Sequence, residues 1–69
     1  MDRLKISLAA ARVNADMTQD DVSKILRVSN KTVLNWEKGK AIPSYATLKT
    51  LSDIYQIPID NIRLPRELT

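Results

Sequence analysis

Three hydroxyl residues, Thr18, Ser29 and Ser44, each stand directly before a stretch whose apolar residues recur every three to four positions. A side-chain oxygen at such a place accepts one of the N–H groups that the first helical turn leaves without a partner. The three caps therefore divide the chain into short helices and exclude one long one. After Thr18, Asp21 stands where a capping box needs an acid, and Asp20 and Asp21 suit the positive end of the helix dipole. Val22, Ile25 and Leu26 supply the apolar stripe, which predicts a helix from about Gln19 to Leu26. Ser29 opens a helix from Asn30 to about Lys38, and Gly39 is placed to end it. Ser44 opens another over Tyr45 to Tyr55, with Leu48, Leu51 and Tyr55 on its inner stripe.

The flanks follow the same period. Leu4 to Asn14 reads as a first helix, with Leu8, Ala11, Arg12 and Ala15 on one face. A charge on that inner face, Arg12, requires a partner. Ile57-Pro58-Ile59 breaks the fourth helix. A short fifth, Ile59 to Arg63, is expected to turn Ile59 and Ile62 inward, and Pro65 ends regular structure. No strand pattern competes. The expectation is an all-α fold, a compact bundle of four to five short helices in one domain over residues 1–69, with a short tail at 64–69. Its core is expected to hold Leu8, Val22, Leu26, Val28, Val33, Trp36, Leu48, Leu51, Ile57 and Ile62. A chain of 69 residues buries only about 60% of its unfolded surface, so little stability is in reserve.

Composition narrows the function classes. The chain has no cysteine and no histidine, so it lacks disulfides, the usual transition-metal ligands and the commonest general base. Asp20 and Asp21 are accounted for by capping, and no metal and no cofactor is expected. No nucleophile–base set, catalytic carboxylate pair or phosphate-binding glycine loop is present, so an enzyme is not expected. No apolar run is long enough to span a membrane. Met1 to Ala11 lacks the apolar core of a signal peptide, which predicts a cytoplasmic protein without a membrane partner. The net charge is only +3, but its distribution is uneven. Between Lys24 and Lys49, the cations Lys24, Arg27, Lys31, Lys38, Lys40 and Lys49 stand against Glu37 alone. A polyanion facing that segment accounts for the bias, as does a merely solvated basic surface.

Two short helices joined by Arg27-Val28-Ser29 form a helix-turn-helix pattern spanning about residues 19–38. At 100° per residue, Val33 and Trp36 share the inner face of the second helix. Asn30, Lys31, Leu34, Asn35 and Lys38 share the outer one. These side chains match base edges in a major groove: Asn pairs with adenine, Lys reaches guanine acceptors, and Leu34 suits a thymine methyl. Trp36 reads as core rather than as a base-stacking platform. Tyr55 reads as core too, while Tyr45 is placed for either a phosphate or a partner subunit.

Thr18-Gln19-Asp20-Asp21-Val22-Ser23, Val28-Ser29-Asn30-Lys31-Thr32-Val33 and Asn35-Trp36-Glu37-Lys38-Gly39-Lys40-Ala41-Ile42-Pro43-Ser44 resemble the Cro/CI-type helix-turn-helix domain of phage repressors and their bacterial relatives, the XRE family. The resemblance runs from about Leu8 to Ile62. It implies a lambda-repressor-like fold and sequence-specific binding to double-stranded DNA by a transcriptional regulator, bacterial or phage-encoded and associated with the nucleoid. Asn30, Lys31 and Asn35 fall where the family reads bases, with Thr32 and Leu34 beside them. Gln19 would contact a phosphate and brace the first residue of the recognition helix. Thr18, Ser29, Lys38 and Lys40 would also face phosphates. Arg12 would form a structural ion pair with Glu37. Ser23 takes the place of the usual small residue in the second helix, and Asp16, Arg27 and Gln56 stand where the family often has glycine.

The resemblance further implies a repressor acting on a palindromic operator, as a weak homodimer or a dimer formed on DNA, with Ile59 to Leu68 as the contact patch. A Cro-like regulator, an antitoxin-like protein and a truncated repressor all fit. The alternative is a protein-interaction module that uses the same polar helix on a toxin or a polymerase subunit. RNA fits less well, because a helix cannot read the deep, narrow major groove of an A-form duplex.

Overall fold

The computed structural model describes residues 5–65. Leu4, where the first helix was expected to start, and the tail from residue 66, which includes Leu68 of the expected contact patch, lie outside the described residues. In order, the chain forms β1 (Ile6–Ser7), α1 (Leu8–Asn14), α2 (Gln19–Leu26), α3 (Asn30–Lys38), α4 (Tyr45–Tyr55), a 3-10 turn (Ile59–Asn61) and β2 (Ile62–Arg63).

Each helix opens on a hydroxyl. Thr18 accepts from the Asp21 N–H while Asp21 accepts from the Thr18 N–H, completing the capping box. Ser29 accepts from the Thr32 N–H, and Ser44 from the Thr47 N–H. α1 follows the same rule from a later start than expected, with Ser7 accepting from the Ala10 N–H at 3.1 Å. The reason is that residues 6 and 7 are extended. Ile6 and Ser7 pair in parallel with Ile62 and Arg63, so the two ends of the fold are tied together. This pairing also corrects two other expectations. A strand is present, and the fifth helix is a single 3-10 turn that gives way to β2 at Ile62. Two paired residues are too short to show an alternating pattern in sequence.

The helix ends are equally uniform. Asp16, Arg27, Gly39 and Gln56 all adopt positive φ, between 56° and 79°. In each case the next N–H bonds back five residues: Met17 to Arg12, Val28 to Ser23, Lys40 to Asn35 and Ile57 to Ser52. This is the Schellman closure, which satisfies carbonyls that the last turn would leave unpaired. Only Gly39 adopts the left-handed conformation without a Cβ penalty. The other three each carry roughly 1 kcal/mol of strain, least for Asp. The residue after the left-handed one usually makes a hydrophobic contact, and Met17, Val28 and Ile57 do so, packing half-buried against the core.

Leu8, Ala11, Val22, Val33, Trp36, Leu51, Tyr55 and Ile62 form that core. Leu26, Val28, Leu48 and Ile57 were expected within it. They are half-buried instead and pack on its rim, Val28 and Ile57 because they serve the helix closures. Ser23 is buried at 5% exposure. Its hydroxyl donates to the Asp20 carbonyl, so the small side chain lets α2 and α3 approach without an unpaired polar atom. No helix among the described residues is long and apolar enough to cross a membrane.

Candidate nucleic-acid interface

α2 and α3 are joined by Arg27, Val28 and Ser29. Arg27 supplies the left-handed turn at φ 59°, ψ 45°, and Ser29 starts the next helix at once. Val33 and Trp36 anchor the inner side of α3 in the core. The outer side is thereby presented to solvent. Asn30, Lys31 and Lys38 are exposed, as is Lys40 just beyond the helix, while Thr32, Leu34 and Asn35 are half-buried. Among the described residues, the side chains of Asn30, Lys31, Asn35, Lys38 and Lys40 have no hydrogen-bond or ionic partner, so their donors and acceptors stay available to a ligand.

The hydroxyls differ from that free row. Thr18 and Ser29 are exposed but already cap α2 and α3. The Thr32 hydroxyl lies 3.0 Å from that of Ser29. Lys24 is engaged as well, at 3.0 Å from Asp20 one turn earlier, and this hydrogen bond raises its pKa. Of the basic segment, Lys31, Lys38 and Lys40 therefore remain the unengaged cations on and just after α3.

Behind α3, a polar cluster fixes its angle to α1 and α2. Arg12 Nε donates to Glu37 Oε2 at 2.7 Å, with side-chain exposures of 15% and 7%. Arg12 Nη1 donates to the Met17 carbonyl at 2.9 Å, so one guanidinium joins α1, the turn after it and α3. The hydrogen bond to Glu37 raises the Arg12 pKa, against a smaller opposing effect of burial. Gln19 Nε2 donates to Glu37 Oε1 at 3.0 Å. Gln19 was expected to brace the start of the recognition helix. Its amide goes instead to the carboxylate near the end of α3, and Asn30 is left free. Nothing local in the sequence signals this bond, because its partners are 18 positions apart. Burial, then the Glu37 charge, push the Tyr55 hydroxyl up to about 12, with Arg12 opposing.

Among the described residues, no group of histidine, cysteine or acidic side chains is arranged to hold a metal. The arrangement is a basic and amide-rich helix face, held rigidly from behind, with two helix starts beside it. That chemistry suits the edges of bases and the phosphates around them.

The helix-turn-helix family model matches residues 8–62. The chain is also 31% identical over 61 residues to the HTH-type transcriptional activator BcrR of Enterococcus faecalis, an alignment covering 88% of this chain and 30% of that protein. The chain thus spans less than a third of that relative's length. No solved structure matches the chain. From its first helix to its second strand, the chain belongs to the XRE-type helix-turn-helix family of DNA-binding domains.

Proposed function

We propose that this protein is a transcriptional regulator that binds double-stranded DNA sequence-specifically by laying α3 in the major groove. The observation that carries the reading is the row of unpartnered side chains on α3, backed by buried Val33 and Trp36 and by the Arg12–Glu37 ion pair. Asn30, Lys31 and Asn35 read base edges, with Thr32 and Leu34 flanking them. Gln19, Lys38 and Lys40 hold phosphates. Thr18 and Ser29 contribute through the helix starts they cap, where free backbone N–H groups favour anions. The action is that of a phage-type repressor on a palindromic operator, with dimers formed weakly or on the DNA itself.

Selection of duplexes from a randomised pool, at low and high salt, tests this. The expected result is a short palindrome with half-sites about one helical turn apart, and affinity that falls steeply with salt. Substituting Asn30→Ala with Lys31→Ala abolishes the enrichment. Salt-sensitive binding without enrichment would leave only backbone attraction and remove the role of α3 as reader. A reporter downstream of the selected site gives the sign of regulation, and activation would overturn the repressor reading.

A further inference from the structure

Glu37 does more than an ion pair requires. One oxygen faces Arg12 Nε at 2.7 Å, and the other accepts from Gln19 Nε2 at 3.0 Å. Arg12 Nη2 lies 3.4 Å from that second oxygen. A carboxylate can only accept, so the Gln19 atom facing it is the nitrogen, and the carboxamide is held in one of its two flips. One Nε2–H is taken by Glu37. The other has no partner among the described residues. Gln19 is also the first residue of α2, whose opening backbone N–H groups the helix itself cannot satisfy. The two acids of that turn are already engaged, Asp20 with Lys24 and Asp21 with the Thr18 N–H.

We propose that Glu37 is a positioning residue for DNA binding: by holding Gln19 Nε2, it aims the second N–H of that amide, with the first backbone N–H groups of α2, at one phosphate of the duplex. Arg12 sits on the other side of Glu37 and balances a negative charge that would otherwise repel that phosphate. A glutamine without this hold rotates and flips freely, and ordering it on contact would cost affinity. The inference rests on the reading that α2 and α3 dock on DNA.

The probe is the duplex enriched by selection, with a neutral methylphosphonate replacing each phosphate in turn. The wild-type protein is expected to lose about tenfold in affinity at the one phosphate facing Gln19, the size of a hydrogen bond to a charged group. Gln19→Ala binds more weakly and becomes indifferent to that replacement. Arg12→Met with Glu37→Met replaces the buried pair by apolar groups of similar size, a change that often preserves folding. It too becomes indifferent at that phosphate while still losing affinity at the others. Arg12→Lys, which leaves Glu37 in place, keeps the sensitivity.

Full sensitivity in the Met/Met variant would make Glu37 structural only and overturn the inference, leaving the DNA reading intact. Failure of the wild type to bind any duplex would overturn both. Should the Met/Met variant not fold, the side-chain amide protons of Gln19 decide the matter in the wild-type protein by NMR. One proton shifted downfield in the free protein, and the second on adding DNA, supports the hold. Two unshifted protons in the free protein overturn it.

Discussion

The two sides of α3 are built to opposite rules. On the inner side, the charges are closed: Glu37 is met by Arg12 and Gln19, and Arg12 also reaches the Met17 carbonyl. On the outer side, Asn30, Lys31, Asn35 and Lys38 are left open among the described residues. A buried polar group without a partner is costly, so the inner side has to be satisfied within the chain. The outer side carries no such requirement because water meets it until a ligand does. One helix therefore keeps its structural contacts on one side and its open groups on the other, and substitutions on its two sides should separate stability from DNA binding.

The largest effect is expected from Glu37→Ala. It leaves the Arg12 guanidinium largely buried and unpaired, which costs about 3–5 kcal/mol. A domain of this size has little more than that in total, so the variant should be substantially unfolded by circular dichroism at 25 °C. A cooperative melt near that of the wild type would show that the inner side is not what holds α3.

Asn30→Ala with Lys31→Ala should do the reverse. The melting curve stays within about 0.5 kcal/mol of wild type, because both positions are exposed surface. Affinity for the selected duplex falls about 100-fold, at 1–3 kcal/mol for each lost base contact. An unchanged affinity in a fluorescence-anisotropy titration would return the outer face to the status of plain solvated surface.

Alkali tests the inner side without substitution. The Tyr55 hydroxyl is pushed from its ordinary 10.0 to about 12 in the fold, so the unfolded chain gives up its proton first. The resulting stability is fully present below pH 10 and is lost as pH rises through about 12. The melting temperature should fall across that window, and Tyr55→Phe should flatten the fall. An equal fall in Tyr55→Phe would place its cause elsewhere.

The smallest effect is expected at the turn between α2 and α3. Arg27 holds φ 59°, and Arg27→Gly should stabilise the fold by roughly 0.5–1 kcal/mol in urea denaturation. A loss of stability would mean that the Arg27 side chain makes good its strain through contacts of its own.

The α2–α3 unit was legible in the sequence because its signals are local. Thr18 and Ser29 act three residues away, Val22, Val33 and Trp36 repeat with the helix, and Gly39 acts on the turn it ends. The same signal was available at Ser7. The apolar period of Leu4, Leu8 and Ala11 runs across Ser7, so the local pattern places no helix start there. The exposed row on α3 followed from the same periodicity. Its function is a different matter, since free amides and amines look alike whether water or a base faces them.

The sequence by itself thus determined where α2, α3 and α4 begin and end and, apart from Ile25, which the fold leaves exposed, which side of each turns inward, since caps and apolar stripes act within one or two turns. Tertiary structure alone decided the pairing of Ile6 with Ile62, which converted the expected ends of the first and last helices into strands. It also decided that the Gln19 amide goes to Glu37 rather than to Asn30, and that Val28 and Ile57 close helices on the rim instead of filling the core. Each of these joins residues whose approach depends on how the helices pack, and that arrangement leaves no periodic trace in the chain.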